Sequence, residues 1–222
     1  MATNRRYKLL CPVARALDRI GDRWTLLILR DLHAGPARFS DLQSGLKGIA
    51  TNLLTDRLSQ LVDDGLIEKQ NGTFGVVAYA MTDLGKRTRS VLFELALLGG
   101  QFEPDEDIRR PGNLRTVAVT MSAALQGVVA KYTRLTATII VDAEPFALRI
   151  HDGAVDMVSG QMETPDVTLE TSYEPLIAVS EGEMSMDVFV TEHVRVFAHK
   201  PGKDVELMHL LSQTIARFSQ IG

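Results

Sequence analysis

The sequence has one cysteine, one tryptophan and only 6% aromatic residues, and no apolar run approaches the roughly 20 residues a membrane-crossing helix needs. The lone Cys11 excludes an intramolecular disulfide and any Cys-rich zinc site, and a reducing compartment suits it best. The opening MATNRRYKLL has too little apolar length for a secretory leader, so the chain is read as cytoplasmic and not membrane-inserted. Motifs that carry chemistry are also missing. His151, His193, His199 and His209 have no metal-ligand spacing, Gly99-Gly100 ends a helix rather than opening a phosphate loop, and no nucleophile elbow is present. The expectation is a non-enzyme without metal or cofactor.

What is present is an ordinary globular composition: 222 residues, 45% apolar and 23% charged, enough for one large domain or two small ones. The formal net charge of −4 argues against a nucleic-acid binder until its distribution is considered. Through Ser90 there are 14 Lys+Arg against 9 Asp+Glu, a net of +5, and beyond it 10 against 19, a net of −9. A basic half joined to an acidic half suggests two units with different partners. The polar stretch Pro104–Asn113, with two prolines and a glycine, lies where the sign changes. Expected units are therefore residues 1–103, a linker 104–113, and 114–222.

Val13, Ala16, Leu17 and Ile20 repeat at helical spacing up to Gly21, and Asp22 can cap a second helix with a stripe of Trp24, Leu27, Ile28 and Leu32. A short helix around Ser40–Leu46, a turn at Gly48 and a longer helix Thr51–Asp63 follow. Leu66–Met81 then reads as a β-hairpin around Asn71-Gly72, and Thr82 caps a helix with apolar positions Leu84, Val91, Leu92, Leu95 and Leu98. Helix, turn, helix and hairpin in this order make a winged helix-turn-helix. In its recognition helix Leu54, Leu58, Leu61 and Val62 form the inner stripe. Thr51, Asn52, Thr55, Asp56 and Ser59 face outward with side chains suited to a major groove, and Arg57 is placed to reach the DNA backbone. Patterning alone leaves a protein-interaction winged helix as the alternative.

The strings CPVARALDRIGDRWTLLILRDLHAGPARFSDL, GIATNLLTDRLSQLVDDGLIEK and VAYAMTDLG closely resemble the HxlR family of dimeric bacterial transcriptional regulators, over roughly residues 9–100. The resemblance implies DNA-facing positions at Arg38, Ser40, Thr51, Asn52, Thr55 and Arg57. At the wing, Lys69 is the one obvious phosphate partner. It further implies a homodimer through the N-terminal helix and the Leu84–Leu98 helix, and hence a pseudo-palindromic double-stranded operator read about 34 Å apart. Some relatives sense oxidants through the cysteine of a Cys-Pro pair, which makes Cys11 the redox candidate beside a plain packing role. Where the family has Ser the chain has Ala50, and where it has a basic residue the chain has Asn52. The usual N-cap is thus absent, with Thr51 a substitute.

Beyond the expected linker the texture changes to a helix, Leu114–Tyr132, and strands at Thr136–Val141, Phe146–Ile150, Val155–Val158, Val167–Thr171 and Val194–Ala198. A helix is expected around Tyr173–Ser180, and a last helix bears Leu207, Leu210, Leu211, Ile215 and Phe218. The strings Phe146-x-Leu-x-Ile-x-Asp-Gly, Thr-Pro-Asp-Val-Thr-Leu and Val-Ser-Glu-Gly-Glu resemble the sterol carrier protein (type 2) domain, over about residues 115–219. That resemblance implies an α/β fold with an antiparallel-rich sheet around an apolar ligand tunnel. Phe146, Leu148, Ile150, Leu169 and Val196 are the candidate lining, or equally a filled core. The whole reads as an α+β chain: a winged-helix regulator, repressor by default, with a sensor for a small apolar ligand. The alternative is a lipid-binding or lipid-transfer protein whose winged helix serves protein interaction. Salt-dependent, sequence-selective DNA binding separates the two.

Overall fold

A computed structural model describes residues 7–71, 76–99, 102 and 113–219. By its internal contacts the chain divides into Met1–Thr88 and Arg89–Gly222. Of the expected linker 104–113, residues 104–112 lie outside the described residues.

In the first unit, α1 (Pro12–Ile20) and α2 (Thr25–His33) precede a short strand β1 (Ala37–Arg38), α3 (Phe39–Gly45) and α4 (Thr51–Asp63). The hairpin β2 (Ile67–Asn71) and β3 (Val77–Met81) is next, then α5 (Asp83–Lys86). β1 adds to β3 to give a three-stranded antiparallel sheet ordered β1-β3-β2, with Lys69 opposite Tyr79. The hairpin tip lies outside the described residues. Ile28, Leu29, Leu32, Leu42, Leu54, Leu58, Leu61 and Ile67 are fully buried and make the core. Leu29 takes the place expected of Leu27, which is exposed, because in the unbroken run Leu26–Leu29 periodicity cannot fix which face turns inward. On α1 the stripe Val13, Ala16, Leu17 is exposed, and only Ala14 and Ile20 are buried.

The helix expected as one piece from Leu84 to Leu98 breaks after Lys86. Thr82 caps α5, its hydroxyl accepting from the Gly85 amide at 3.1 Å. Gly85 lies so close to the hairpin that a Cβ there would come 2.0 Å from the Leu66 carbonyl oxygen. A second helix, α6 (Thr88–Gly99), then begins, and its body packs with the second unit. There Phe93 and Leu97 cluster with Ala123 and Ala124, and Arg89 donates to the Val155 carbonyl at 2.7 Å.

In the second unit α7 (Arg115–Gln126) ends at Gly127, short of the expected Tyr132. Five strands follow: β4 (Leu135–Val141), β5 (Glu144–His151), β6 (Ala154–Ser159), β7 (Val167–Thr171) and β8 (Arg195–Ala198). The sheet order is β6-β5-β4-β7-β8, antiparallel throughout except for the parallel pair β4·β7. Between β7 and β8 run α8 (Tyr173–Ser180), α9 (Met186–Val188) and a π-helical turn Phe189–His193, and α10 (Lys203–Ser219) closes the unit. The register puts Leu135, Ala137, Ile139, Val141, Phe146, Leu148, Ile150, Met157, Val167 and Leu169 on one face, all buried. Helices α7 and α10 pack on the sheet, with Leu207, Leu210 and Leu211 buried. The Phe218 side chain lies outside the described residues.

A buried carboxylate ties three strands together. Asp166 accepts from the Thr136 amide at 2.9 Å and from Lys200 at 2.6 Å, while its carbonyl takes the amides of His199 and Lys200 at 2.9 and 3.0 Å. Burial opposes its charge, but the hydrogen bonds from Lys200 and Thr136 prevail and hold its pKa below the usual carboxylate value.

Candidate nucleic-acid interface

Helix α4 presents two distinct faces. Leu54, Leu58 and Leu61 are buried, Val62 is half-buried, and Thr51, Asn52, Thr55, Asp56 and Ser59 are exposed. The N-cap residue is Ala50, which offers no side-chain acceptor. Thr51 does not substitute for it. Thr51 is the first helical residue, and its hydroxyl accepts from Gln43 Nε2 at 2.6 Å, linking α3 to the start of α4. Thr55 donates back to the Thr51 carbonyl at 2.9 Å, and Asn52 Oδ1 accepts from the Leu53 amide at 2.9 Å. These side chains are short, locally held and turned to solvent, so they are ordered before any ligand arrives.

Arg38 ends β1 and precedes α3. Its amide donates to Asp41 Oδ2 at 2.9 Å, and the residue is exposed. Ser40 lies in the first turn of α3 and Lys69 on β2, both exposed. Sequence reasoning missed Lys47, an exposed cation in the turn just before α4. Its signal was there, a lysine between two helix-turn-helix elements.

Arg57 differs from the other expected positions. It is half-buried, its Nε is 3.2 Å from Asp22 Oδ2, and its Nη1 donates to Gln60 Oε1 at 3.0 Å. Cys11 is half-buried and stands as the N-cap residue of α1, before Pro12, without a side-chain cap bond.

The five candidate pocket residues separate into two groups. Phe146, Leu148, Ile150 and Leu169 are at most 2% exposed in the sheet core, and Val196 on β8 is half-buried. Among the described residues no group of three His, Cys, Asp or Glu could hold a metal ion, and no helix is long and apolar enough to cross a membrane.

Residues 19–107 match the family described as HxlR-like helix-turn-helix. An HTH-type transcriptional regulator of Synechocystis sp. is 31% identical over 99 residues, which is 44% of this chain and 73% of that protein. The HTH-type transcriptional regulator YodB of Bacillus subtilis is 30% identical over 103 residues, 45% of this chain and 92% of YodB. A solved structure of YodB in its reduced form is 29% identical with a TM-score of 0.38, covering 44% of this chain and 100% of that one. These relatives are regulators and not enzymes, and they align with less than half of this chain. Through its N-terminal part the chain belongs to the HxlR-like helix-turn-helix family of transcriptional regulators.

Proposed function

We propose that the chain is a dimeric operator-binding repressor of the cytoplasm whose C-terminal unit, residues 114–222, is a sterol-carrier-like sensor for a small apolar molecule. The observation that carries the DNA-binding part is the exposed polar face of α4, with Thr51, Asn52 and Thr55 held by local bonds above a fully buried leucine stripe. A helix of this kind reads base edges, while cations beside it position the protein on phosphates. Thr51, Asn52 and Thr55 take the base-edge role, and Arg38, Ser40, Lys47 and Lys69 the phosphate role.

A second copy of the chain is the partner that suits the exposed apolar side chains of α1, Val13 and Leu17 at 65% and 43% exposure. In the second unit Val91, Leu95 and Leu98 form a comparable exposed stripe on α6. Two recognition helices then meet a pseudo-palindromic operator. The sensing role rests on the one-sided, antiparallel-rich sheet backed by helices, with Val196 the candidate at the margin of its apolar layer. Ligand binding would act by linkage, favouring one arrangement of the dimer over another. Cys11, half-buried at the start of α1, is proposed as an oxidant-responsive thiol on the same helix.

The test is an anisotropy titration of the full chain on an operator selected from random duplexes, between about 50 and 200 mM salt, with candidate apolar ligands and diamide as effectors. Expected is a steeply salt-dependent affinity that Thr55→Ala lowers on the operator but not on unrelated DNA. Equal affinity for every duplex would refute the base-reading role. An affinity unmoved by any apolar compound, with no ligand found in native mass spectra of the purified protein, would refute the sensor.

A further inference from the structure

We propose that Arg19 and Asp22, on either side of the Ile20-Gly21 corner between α1 and α2, form a two-point charged brace that sets the tilt of the recognition helix, with Arg57 a positioning residue and not a phosphate contact. The inference rests on the reading of α4 as the DNA-entering helix.

Each side of the corner reaches α4 with a different charge. Arg19 Nε lies 2.8 Å from Asp64 Oδ1 at the C-cap of α4, and Asp22 Oδ2 lies 3.2 Å from Arg57 Nε in its middle. Arg57 and Asp64 are seven residues apart, so they share one face of the helix, about 10 Å apart along it. Leu54, Leu58 and Leu61 seat the helix on the core, and two charged attachments two turns apart add a restraint on its tilt.

The partners are otherwise committed. Asp22 Oδ1 accepts the amides of Trp24 and Thr25 at 2.9 and 3.2 Å, and the Thr25 hydroxyl donates to Oδ2. The carboxylate that starts α2 therefore also holds α4. Asp64 stands at the negative end of the α4 dipole, where a carboxylate is disfavoured unless a cation balances it, and Arg19 supplies that cation. Side chains of Asp22 and Arg57 are both 27% exposed, so that pair is screened less than a surface pair, whereas Arg19 at 41% against Asp64 at 19% is more open to solvent. The corner requires glycine, because a Cβ on Gly21 would lie 2.5 Å from the Leu17 carbonyl oxygen.

Geometry gives the brace its leverage on recognition. Thr51 lies ten residues from Leu61, about 15 Å along the helix, so a 10° tilt about Leu61 moves the N-terminal end by about 3 Å. That exceeds the tolerance of a direct base contact.

Full-length protein with Asp22→Asn, Arg19→Gln or Arg57→Gln tests the inference. Asn keeps an oxygen for the α2 amides, so the Asp22 variant should still fold. Hydrogen exchange without DNA reports the brace directly, and operator and scrambled-duplex affinities between about 50 and 200 mM salt report its use. Expected are several-fold faster exchange across Leu58–Asp63 in each variant and about tenfold weaker operator binding. The slope of log affinity against log salt should stay within about 0.3 of wild type. Asp22→Asn with Arg57→Gln should be no weaker than either alone, and Arg57→Lys should restore part of the loss. Unchanged exchange in Asp22→Asn and Arg19→Gln overturns the brace. So does a slope reduced by about 1 in Arg57→Gln while Asp22→Asn binds as wild type, the signature of a phosphate contact. Should wild type bind no DNA, the proposed function fails, while the exchange result still decides the brace.

Discussion

Replacing Asp166 by asparagine removes one negative charge from a site that is only 6% exposed, and where the strand-leading segments of β4 and β7 meet the end of β8. The oxygen facing the Thr136 amide can be kept, but the acceptor for Lys200 becomes an amide. Hydrogen bonds to charged groups contribute about 1.5–3 kcal/mol each. Lys200 is 68% exposed, so its share is discounted toward the value of a surface pair. A loss of about 2 kcal/mol at neutral pH follows. The pH dependence has a definite sign. The folded carboxyl has a pKa below the unfolded value of about 3.9, so its stabilisation is complete above about pH 4 and fades as pH falls through the folded pKa. The asparagine variant lacks that dependence. Urea unfolding of both proteins at pH 7, 5, 4 and 3, followed by far-ultraviolet circular dichroism, should show curves separated near neutrality that converge in acid. A separation below about 0.5 kcal/mol at pH 7, or one that stays constant down to the lowest pH at which both fold, would refute the argument.

Two further changes test the close approaches in the fold. Gly85→Ala should destabilise the first unit by about 2–3 kcal/mol, since the added methyl meets the Leu66 carbonyl oxygen, a backbone atom that cannot step aside; thermal unfolding of the full chain measures it. Ala143→Gly should stabilise the second unit by roughly 1 kcal/mol, because Ala143 holds a left-handed φ of 68° in the exposed β4–β5 turn. Urea midpoints are the readout there, and a destabilised glycine variant would contradict the strain argument.

Sequence signals that are local and carried by backbone chemistry translated directly. The span Thr51–Asp63 and the strand Val167–Thr171 match their expected bounds, as does the helix Tyr173–Ser180. Asp152-Gly153, with φ of 50° and 78°, makes the tight β5–β6 turn that its dipeptide announces. The equivalent turn at Asp142-Ala143 gives no such signal, since alanine rarely adopts a positive φ. The apolar stripe of α1 is legible as a stripe, but periodicity alone does not show that Val13 and Leu17 stay exposed in the chain. Alternation marked Phe146, Leu148 and Ile150 as one face, and the packed unit buries that face. Arg57 illustrates a different limit: its partner Asp22 is 35 positions earlier and meets it only once α2 and α4 are packed.

Strand β4 has its hairpin partner on one side and, on the other, a strand that arrives only after β5 and β6 have been made. The three-stranded meander β4-β5-β6 closes through two-residue turns, whereas β7 must return from the far end of the meander to lie parallel to β4. Such non-local closure is slow compared with hairpin formation. During synthesis the meander would therefore stand with the β7 side of β4 uncovered until the ribosome had delivered residues 167–171, and β8 and α10 later still. The unit's central strand begins life as an edge.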